Sequence, residues 1–477
     1  MTRHDTTFRT GLRVIEGSAS QDRRAPALPP SPAPHLGASE LAAELAQLWA
    51  LGLALDLPVT ALADPHRALP GQRTNMHEVL CELRSLRWFD AQHGLRTARD
   101  RSGEAARRRA LPRNGDGQLT LAGLLRGPVA LADDGLSPQL LADRAHEGPR
   151  TAGPRPAPGA PMSAWLAWAG QQAGAGVSRL PGTGGTAPPD SLRALVARVQ
   201  AMPPARPFYN VALAALARAS ALDPGLAGQE DWTGGRVMAL MAEAETQAGA
   251  LALRRAGQLD RLSRPAVTAA RLTVLLAQED CATCCPSLRE AAAELDHAAP
   301  RLLDWVSRAN HAHPGRSRID RLLFLPLLHD DAPHPADLAP HMVVAGALGT
   351  LLKALFRTGQ GRALRLAGTE PDLATSVDTL AANIALARCA AATHYPAENH
   401  QDLRLGEAIA LGLLRGALER DNRSATLGFR DFDGRPVTLS AHPRAFGRGH
   451  AELRRNGQPV AWPQDGGPRA AHLTAVS

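Results

Sequence analysis

Two stretches of the sequence, HPADLAPHMVVAGA at residues 334–347 and NIALARCAAATHYPAE at residues 383–398, decide how the chain is interpreted. An apolar run with helical spacing follows each of them, so the patterns place His341, Arg388 and His394 at the ends of buried helices. A helix N-terminus attracts anions, an arginine supplies a fixed fork of donors, and a histidine transfers protons or binds a metal centre. This combination predicts a buried oxyanion site with imidazole chemistry.

The composition favours an all-α fold. Hydrophobic residues make up 44% of the chain but aromatic residues only 4%, so the core must consist of Ala, Leu and Val. Such residues suit close-packed helices better than strands, which favour aromatic and β-branched side chains. Near the C-terminus, strand-like segments at 426–430 and 437–440 flank Asp433-Gly434, a pair typical of a two-residue turn. We therefore predict helical bundles with a small C-terminal β-hairpin.

The distribution of Gly, Pro and charged residues divides the chain into four parts. Residues 1–36 are polar and contain several prolines, which predicts a disordered N-terminal arm. Residues 37–200 are expected to form a helical part with long Gly/Pro-rich loops. Residues 201–445 are the predicted core with the oxyanion site, and residues 446–477 are predicted to form a C-terminal tail on the surface.

The net charge of +7 and the pI near 9.9 raise the question of nucleic-acid binding. Lys353 is the only lysine, and the arginines are scattered except within residues 96–113. Few aromatic residues are present for base stacking, so we predict no nucleic-acid partner. The first 36 residues lack the apolar core of a signal peptide, and no run approaches 18 apolar residues. We predict no membrane association and a cytoplasmic location.

The five cysteines are too few and too scattered for the disulfide framework of a small secreted domain. Cys281 and Cys284 have the spacing of half a zinc site or of a redox pair, and Cys285 follows directly. Because no second pair with ligand spacing is present, we favour reduced thiols near a helix end.

The two stretches resemble the vanadium-dependent haloperoxidases, most closely their algal bromoperoxidase branch, in a superfamily that includes acid phosphatases. That family has a segment like HPSYxSGHA, then NIALGR and, five residues later, HYxSD. Further matches are FYNVAL at residues 208–213, the pair Arg264-Pro265 and FDGRPVT at residues 432–438. The resemblance implies an all-α fold, oxidation of a halide by hydrogen peroxide at a histidine-bound vanadate, and a homo-oligomer.

The resemblance also assigns roles to individual residues. It implies that His394 bonds the vanadium and is thus the metal ligand, and that Arg264 and Arg388 bind the vanadate oxygens. It makes His341 the catalytic acid–base residue and places His334 near the halide. We expect both arginines to point into one cavity with the histidines, because unpaired charges in an apolar helical core are costly.

Four positions depart from the family pattern. Ala339 replaces a serine, Pro340 replaces a glycine and has no N–H to donate, and Ala256 replaces a lysine. A hydrogen bond to a charged group contributes roughly 1.5–3 kcal/mol, so these losses predict vanadate binding about 10³- to 10⁵-fold weaker, or lost. Glu398 replaces an aspartate and is expected to orient the vanadium-bonding histidine or the nearby arginine from the second shell of side chains.

Two other functions fit the same residues. A phosphatase would use the oxyanion site for a phosphoryl group, with phosphate in place of vanadate, and a non-catalytic homologue would retain only the fold. Taken singly, His341 has the place of an ordinary residue at a helix start, and Arg388 that of an ion-pair partner. The missing donors favour the non-catalytic homologue, whereas the histidines and Arg388 together favour the haloperoxidase. Fold similarity alone does not choose among the three.

Overall fold

The structure is a computed structural model, which describes residues 31–90, 99, 101, 103–132, 135–137, 140, 189–256, 258, 262–277, 285–312, 321–325, 327, 340–357 and 372–465. Within these ranges the chain forms thirteen α-helices and one four-stranded antiparallel sheet near the C-terminus. This arrangement confirms the predicted all-α class with a small β-structure at the C-terminal end.

The helices begin and end where proline, glycine and polar residues interrupt the apolar spacing. The first five are α1 Ala38–Leu53, α2 Met76–Arg84, α3 Gly103–Ala110, α4 Leu121–Arg126 and α5 Leu192–Ala201. The others are α6 Arg206–Ala217, α7 Gly234–Ala256, α8 Pro265–Ala277, α9 Pro286–Ala298, α10 Pro300–His311, α11 His341–Leu355, α12 Leu373–Ala390 and α13 Pro396–Asp421. Short 3₁₀ turns occur at Val59–Ala61 and Pro224–Leu226. Helices α8, α9, α10 and α13 begin with proline, because the first N–H of a helix needs no intrahelical partner.

Helix α11 lies at the centre of the fold. All of its residues from His341 to Leu355 are buried, so it has no solvent face. It packs most extensively along α13, and it also contacts α7 and α12. The stretch that the sequence marked as buried therefore forms the axis around which the other core helices pack.

Two glycines let the backbones of α11 and α13 come into direct contact. A Cβ atom on Gly346 would lie 2.1 Å from the carbonyl oxygen of Leu403, and one on Gly406 would lie 2.0 Å from that of Val343. Real side chains do not approach a backbone oxygen so closely, so only glycine fits at either position. This contact fixes how far the start of α11 lies from the first turns of α13.

The C-terminal sheet has the strand order β1 Ala425–Arg430, β2 Pro436–His442, β3 His450–Arg455 and β4 Gln458–Pro459. Strands β1 and β2 form the predicted hairpin. Their connection, residues 431–435, is longer than the predicted two-residue turn, and within it Gly434 has a positive φ of 78°. The expectation of a surface tail after residue 445 is wrong where β3 and β4 form. The alternating burial of β3 shows the reason, because one face of this strand packs inward.

Buried charges attach the sheet to α13. Arg404 of α13 and Arg455 of β3 both donate to the buried Glu407 carboxylate at 2.5 Å. Arg404 also donates to Asp431, which follows β1 and is fully buried, at 3.1 Å. Burial raises the pKa of Glu407, while the two arginines oppose that shift. The sheet is thereby held against the middle of α13.

Lys353 is buried near the end of α11 and forms an ion pair with Asp378 of α12 at 2.7 Å. Its ammonium group also lies 3.5 Å from the centre of the Phe432 ring. Burial raises the pKa of Asp378, and the neighbouring ammonium group opposes that shift. The only lysine of the chain therefore pairs with an acid on a neighbouring core helix.

Several sequence expectations fall outside the described residues. These include residues 1–30 of the predicted arm, and Cys281 and Cys284 of the possible zinc half-site. Within the described end of the arm, the Pro32 carbonyl accepts a hydrogen bond from Gln401 at 2.8 Å, so this end contacts the body. In the part of the chain that the structure describes, no helix has the length and apolar character needed to cross a membrane.

The contact between α11 and α13 generates a first prediction. Gly346→Ala and Gly406→Ala should each lower the free energy of unfolding by about 3 kcal/mol, because the added methyl group overlaps a backbone oxygen. Gly416→Ala in the same helix α13 is the matched control, since a Cβ there meets nothing closer than the Arg420 Nη1 at 3.5 Å. The control should gain up to about 1 kcal/mol from helix propensity. Urea unfolding of the three variants measures the difference, and equal stabilities would contradict the proposed contact.

Candidate oxyanion site

One arginine joins the two histidines that the sequence singled out. Arg388 lies in the last turn of α12, and its Nη1 is 3.0 Å from the Nδ1 of His341. Its Nη2 lies 2.9 Å from the Nδ1 and 3.1 Å from the Nε2 of His394. Both imidazoles are thus within hydrogen-bond reach of one guanidinium. The structure brings these three side chains together in one place, although they come from three different segments.

The contacts of His341 define its protonation. Its Nε2 lies 3.2 Å from the carbonyl oxygen of Val199 in α5, and a carbonyl only accepts hydrogen bonds. The Nε2 therefore carries the proton, and the Nδ1 offers its lone pair to the Arg388 N–H. His341 is buried, with 3% of its surface exposed. This geometry gives a neutral imidazole whose basic nitrogen faces the guanidinium.

His394 follows the tight end of α12. The N–H of Ala392 donates to the Cys389 carbonyl at 2.8 Å, and that of Thr393 donates to the Arg388 carbonyl at 3.2 Å. These two bonds form a Schellman motif, in which the residue with left-handed backbone is usually glycine. Here it is Ala392, with φ at 52°. The motif reverses the chain within a few residues and returns the half-buried His394 to the side chain of Arg388.

Glu398 lies at the start of α13 and acts on the backbone beside His394. Its Oε2 accepts a hydrogen bond from the N–H of Tyr395 at 3.1 Å, which satisfies a donor at the helix N-terminus. Glu398 thus bonds to the residue that follows His394, and its predicted role of orienting His394 or Arg388 stays a prediction.

Arg264 is placed differently from the sequence expectation. It directly precedes α8, its residue is exposed, and its carbonyl accepts a hydrogen bond from Thr268 of the same helix. Pro265, the first residue of α8, is the one that is buried. The expectation that Arg264 is buried beside Arg388 is therefore not met, because this helix start turns its proline inward and its arginine toward solvent.

Neighbouring positions of the family pattern lack the expected donors, and Arg255, adjacent to Ala256, has other partners. Arg255, in the last turn of α7, pairs with Asp402 of α13 and donates to Gln401 at 2.5 Å. Ala256 is the last residue of that helix. Pro340 is the N-cap residue of α11 and has no N–H to donate. His334 and Ala339 lie outside the described residues.

The three side chains that do meet fit an oxyanion bonded by one histidine. The buried guanidinium supplies positive charge and several fixed N–H donors, and the imidazoles supply nitrogen atoms that bond a metal centre or hold a proton. Among the described residues, no group of three or more His, Cys, Asp and Glu side chains has the arrangement to hold a metal ion. Vanadate would thus rest on His394 and Arg388, with fewer donors than the family pattern provides.

Sequence reasoning missed a buried acid beside this region. Glu44 of α1 is 3% exposed, and its Oε1 accepts a hydrogen bond from the N–H of Ala397 in the first turn of α13 at 2.9 Å. Its Oε2 has no hydrogen-bond partner among the described residues, and the side chain lines a cavity of about 40 Å³ with Trp88 and His400. Burial, and then the charge of Glu40, raise the pKa of Glu44 well above its usual range. The sequence signal that could have indicated this buried acid was the presence of two acidic residues within the apolar run of α1.

Comparison with known proteins finds distant relatives by sequence and by structure. A vanadium-dependent bromoperoxidase of Corallina pilulifera is 25% identical over an alignment of 259 residues, which covers 49% of this chain and 43% of that protein. The match thus spans less than half the length of this curated relative. No protein-family model matches the chain.

Among solved structures, the homohexameric second vanadate-dependent bromoperoxidase (AnII) of Ascophyllum nodosum has a TM-score of 0.58 to this chain. The identity is 17%, and the alignment covers 90% of this chain and 74% of that one. At this identity the similarity shows a common fold. The sequence relative and the structural relative agree on the same group of proteins, which confirms the resemblance seen in the two sequence stretches.

The buried Glu44 generates a second prediction. Its pKa is higher in the folded than in the unfolded chain, so the folded state holds the proton longer and stability falls as the pH rises above about 4.5. Glu44→Gln keeps the acceptor for Ala397 but does not titrate. The unfolding free energy of the variant minus that of the wild type should therefore increase with pH, by at most about 1.4 kcal/mol per pH unit.

Urea unfolding from pH 4 to pH 8 measures this difference, with the exposed Glu243→Gln as the matched control. A difference curve for Glu44→Gln that stays flat over the whole range would show that Glu44 titrates alike in both states.

Proposed function

We propose that this distant relative of the vanadium-dependent bromoperoxidases, which has their fold, is a haloperoxidase-type oxidoreductase with a weakened vanadate site. The observation that supports this function best is the guanidinium of Arg388 between the imidazoles of His341 and His394. The proposed substrates are hydrogen peroxide and a halide. When bound, vanadate would supply the chemistry by which peroxide oxidises the halide.

Each of the three residues has a distinct task in this proposal. His394 offers a ring nitrogen as the bond to vanadium, because both of its nitrogens lie on the side of Arg388. Arg388 is 3% exposed, so its N–H groups act on an oxyanion in a region with little water, where electrostatic interactions are strong. These two residues bind and orient the anion.

His341 is the proposed acid–base residue. The Val199 carbonyl holds the proton on its Nε2, so proton transfer uses the Nδ1, which faces Arg388. An anion at Arg388 would therefore lie beside the nitrogen that accepts or returns a proton. A general base must lie within hydrogen-bond reach of the proton it takes. In the structure the Nδ1 lone pair accepts from Arg388, so proton transfer in this proposal requires that the bound anion draw this N–H away from His341.

The non-catalytic homologue remains the second candidate, and specific observations favour it. Arg264 is exposed, Arg255 is committed to Asp402 and Gln401, and Pro340 has no N–H. Each diverted or missing donor lowers the affinity for a charged ligand. The remaining N–H donors would also bind phosphate, and this is the basis of the phosphatase alternative. A homo-oligomer is part of the proposal, since the solved relative is a homohexamer.

The third prediction concerns vanadate binding. The wild-type protein should bind vanadate with Arg388 and His394, but too weakly for much bromination at micromolar vanadate. Arg388→Lys keeps the charge but removes the planar fork, so its affinity should fall at least about tenfold. Arg415→Lys is the matched control, because Arg415 pairs with Glu419 and Asp465 at the other end of α13. Calorimetric titration with vanadate measures binding, and bromination of a phenolic dye measures turnover.

Restoring the family donors tests the same site from the other direction. Ala256→Lys, Ala339→Ser and Pro340→Gly together should raise affinity and bromination by orders of magnitude, since three groups act on one anion. Adding His341→Ala should remove the gain in turnover. Absence of vanadate binding in both the wild type and the restored protein would favour the non-catalytic homologue. Hydrolysis of a phosphate ester that depends on Arg388 would favour the phosphatase.

A further inference from the structure

We propose that Tyr395 is the positioning residue of the site: its hydroxyl ties the segment that carries His394 to helix α8 through Thr268. Its importance for oxyanion binding rests on the proposed function, but the link itself is tested without any ligand. A chain of hydrogen bonds runs from Tyr395 through Thr268 to the backbone just before α8.

The chain of bonds has a defined direction. Thr268 donates from its Oγ1 to the Arg264 carbonyl at 3.3 Å, and a carbonyl cannot donate in return. The single proton of the Thr268 hydroxyl is thus committed, so the bond of 2.8 Å between the two hydroxyls is donated by Tyr395. Tyr395 is 1% exposed and Thr268 is 6% exposed. Burial raises the pKa of the Tyr395 hydroxyl, which therefore remains a donor.

Tyr395 is held at both its backbone and its side chain. Its N–H donates to the Glu398 carboxylate at 3.1 Å, and its hydroxyl is held by Thr268. His394 is the preceding residue, and consecutive Cα atoms are only about 3.8 Å apart. A displacement of Tyr395 therefore moves His394 directly.

The segment needs such a link because its other end is strained. The Schellman motif ends at Thr393, and Ala392 adopts the left-handed backbone that glycine usually occupies. His394 itself is only half buried, so packing alone restrains it less than a core residue. The buried hydroxyl bond supplies a directional restraint within one residue of the imidazole.

The same bonds connect His394 to the backbone of Arg264. Thr268 lies one helical turn after Arg264, and its hydroxyl contacts both the Arg264 carbonyl and Tyr395. The start of α8, which carries the Arg264 of the resemblance, is therefore connected to the segment of His394 through two hydroxyl groups.

The chain offers a matched control, because it contains only two tyrosines. Tyr209, the other one, also donates from a partly buried hydroxyl, to Glu245 of α7 at 2.9 Å. Tyr395→Phe and Tyr209→Phe thus remove the same atom, from a buried bond to a hydroxyl in the first case and from a partly buried bond to a carboxylate in the second. Thr268→Val removes the acceptor at nearly constant volume, whereas Thr268→Ser keeps a hydroxyl and should rescue the function of the link.

The experiment first records the NMR signals of the His394 imidazole in protein without any oxyanion. In ¹⁵N-histidine-labelled protein, the imidazole signals of His394 are assigned by their loss in His394→Gln. Tyr395→Phe and Thr268→Val should each shift or broaden these signals, because the imidazole loses its fixed position. Tyr209→Phe and Thr268→Ser should leave them unchanged.

Vanadate titration then tests the consequence for binding. Tyr395→Phe and Thr268→Val should each weaken vanadate affinity about tenfold, the effect of losing one restraining hydrogen bond. The double variant should be no weaker than either single variant, because both remove the same bond. The midpoint of thermal unfolding is measured for every variant, so that a general loss of stability is recognised.

The outcomes separate the link from the proposed function. If the wild type binds no vanadate, the proposed function fails, while the His394 signals still decide whether the link exists. If Tyr395→Phe leaves the His394 signals and affinity the same as Tyr209→Phe, the positioning role is overturned. A lower unfolding midpoint with unchanged His394 signals would overturn it as well, since the bond would then serve stability alone.

Discussion

The direct backbone contact between α11 and α13 is the constraint on which the site depends. It requires Gly346 and Gly406, because a methyl group on either would overlap a carbonyl oxygen of the other helix. Helix α11 begins at His341, and α13 begins two residues after His394. A change in the separation of these helices would move one histidine relative to the other, so the glycine contact determines whether a single arginine reaches both.

Helix α12 supplies the second constraint, through two polar contacts with α11 at opposite ends. Arg388 near its end meets His341 at the start of α11, and Asp378 near its start meets Lys353 near the end of α11. Two such contacts, more than two helical turns apart, define the antiparallel register of the pair. The lysine contact joins opposite charges and serves structure. The arginine contact joins a cation to neutral nitrogens, and this difference makes the His341 end the one suited to an anion.

The sequence predicted the elements that arise from local patterns. Helix positions followed from the spacing of apolar residues, the β1–β2 hairpin from Asp433-Gly434, and the meeting of His341, Arg388 and His394 from the family motifs. What it missed depends on tertiary contacts. The exposure of Arg264 follows from which side of α8 packs inward. Strand β3 forms because β2 offers an edge with which it pairs, and β4 pairs in turn with β3. Local residues could not reveal either contact.

The fold and the donor set of the site are separable in physical terms. At the N-cap of α11, Pro340 removes an N–H that the helix itself would not use, so the substitution costs the helix little. Arg255, beside Ala256, bonds to α13 and thereby ties the end of α7 to that helix. In the proposed site such changes would lower the affinity for vanadate at little cost to the fold. Structural similarity to the bromoperoxidases therefore persists whether or not the site is catalytically active. Only the contacts around Arg388 bear on whether it is active.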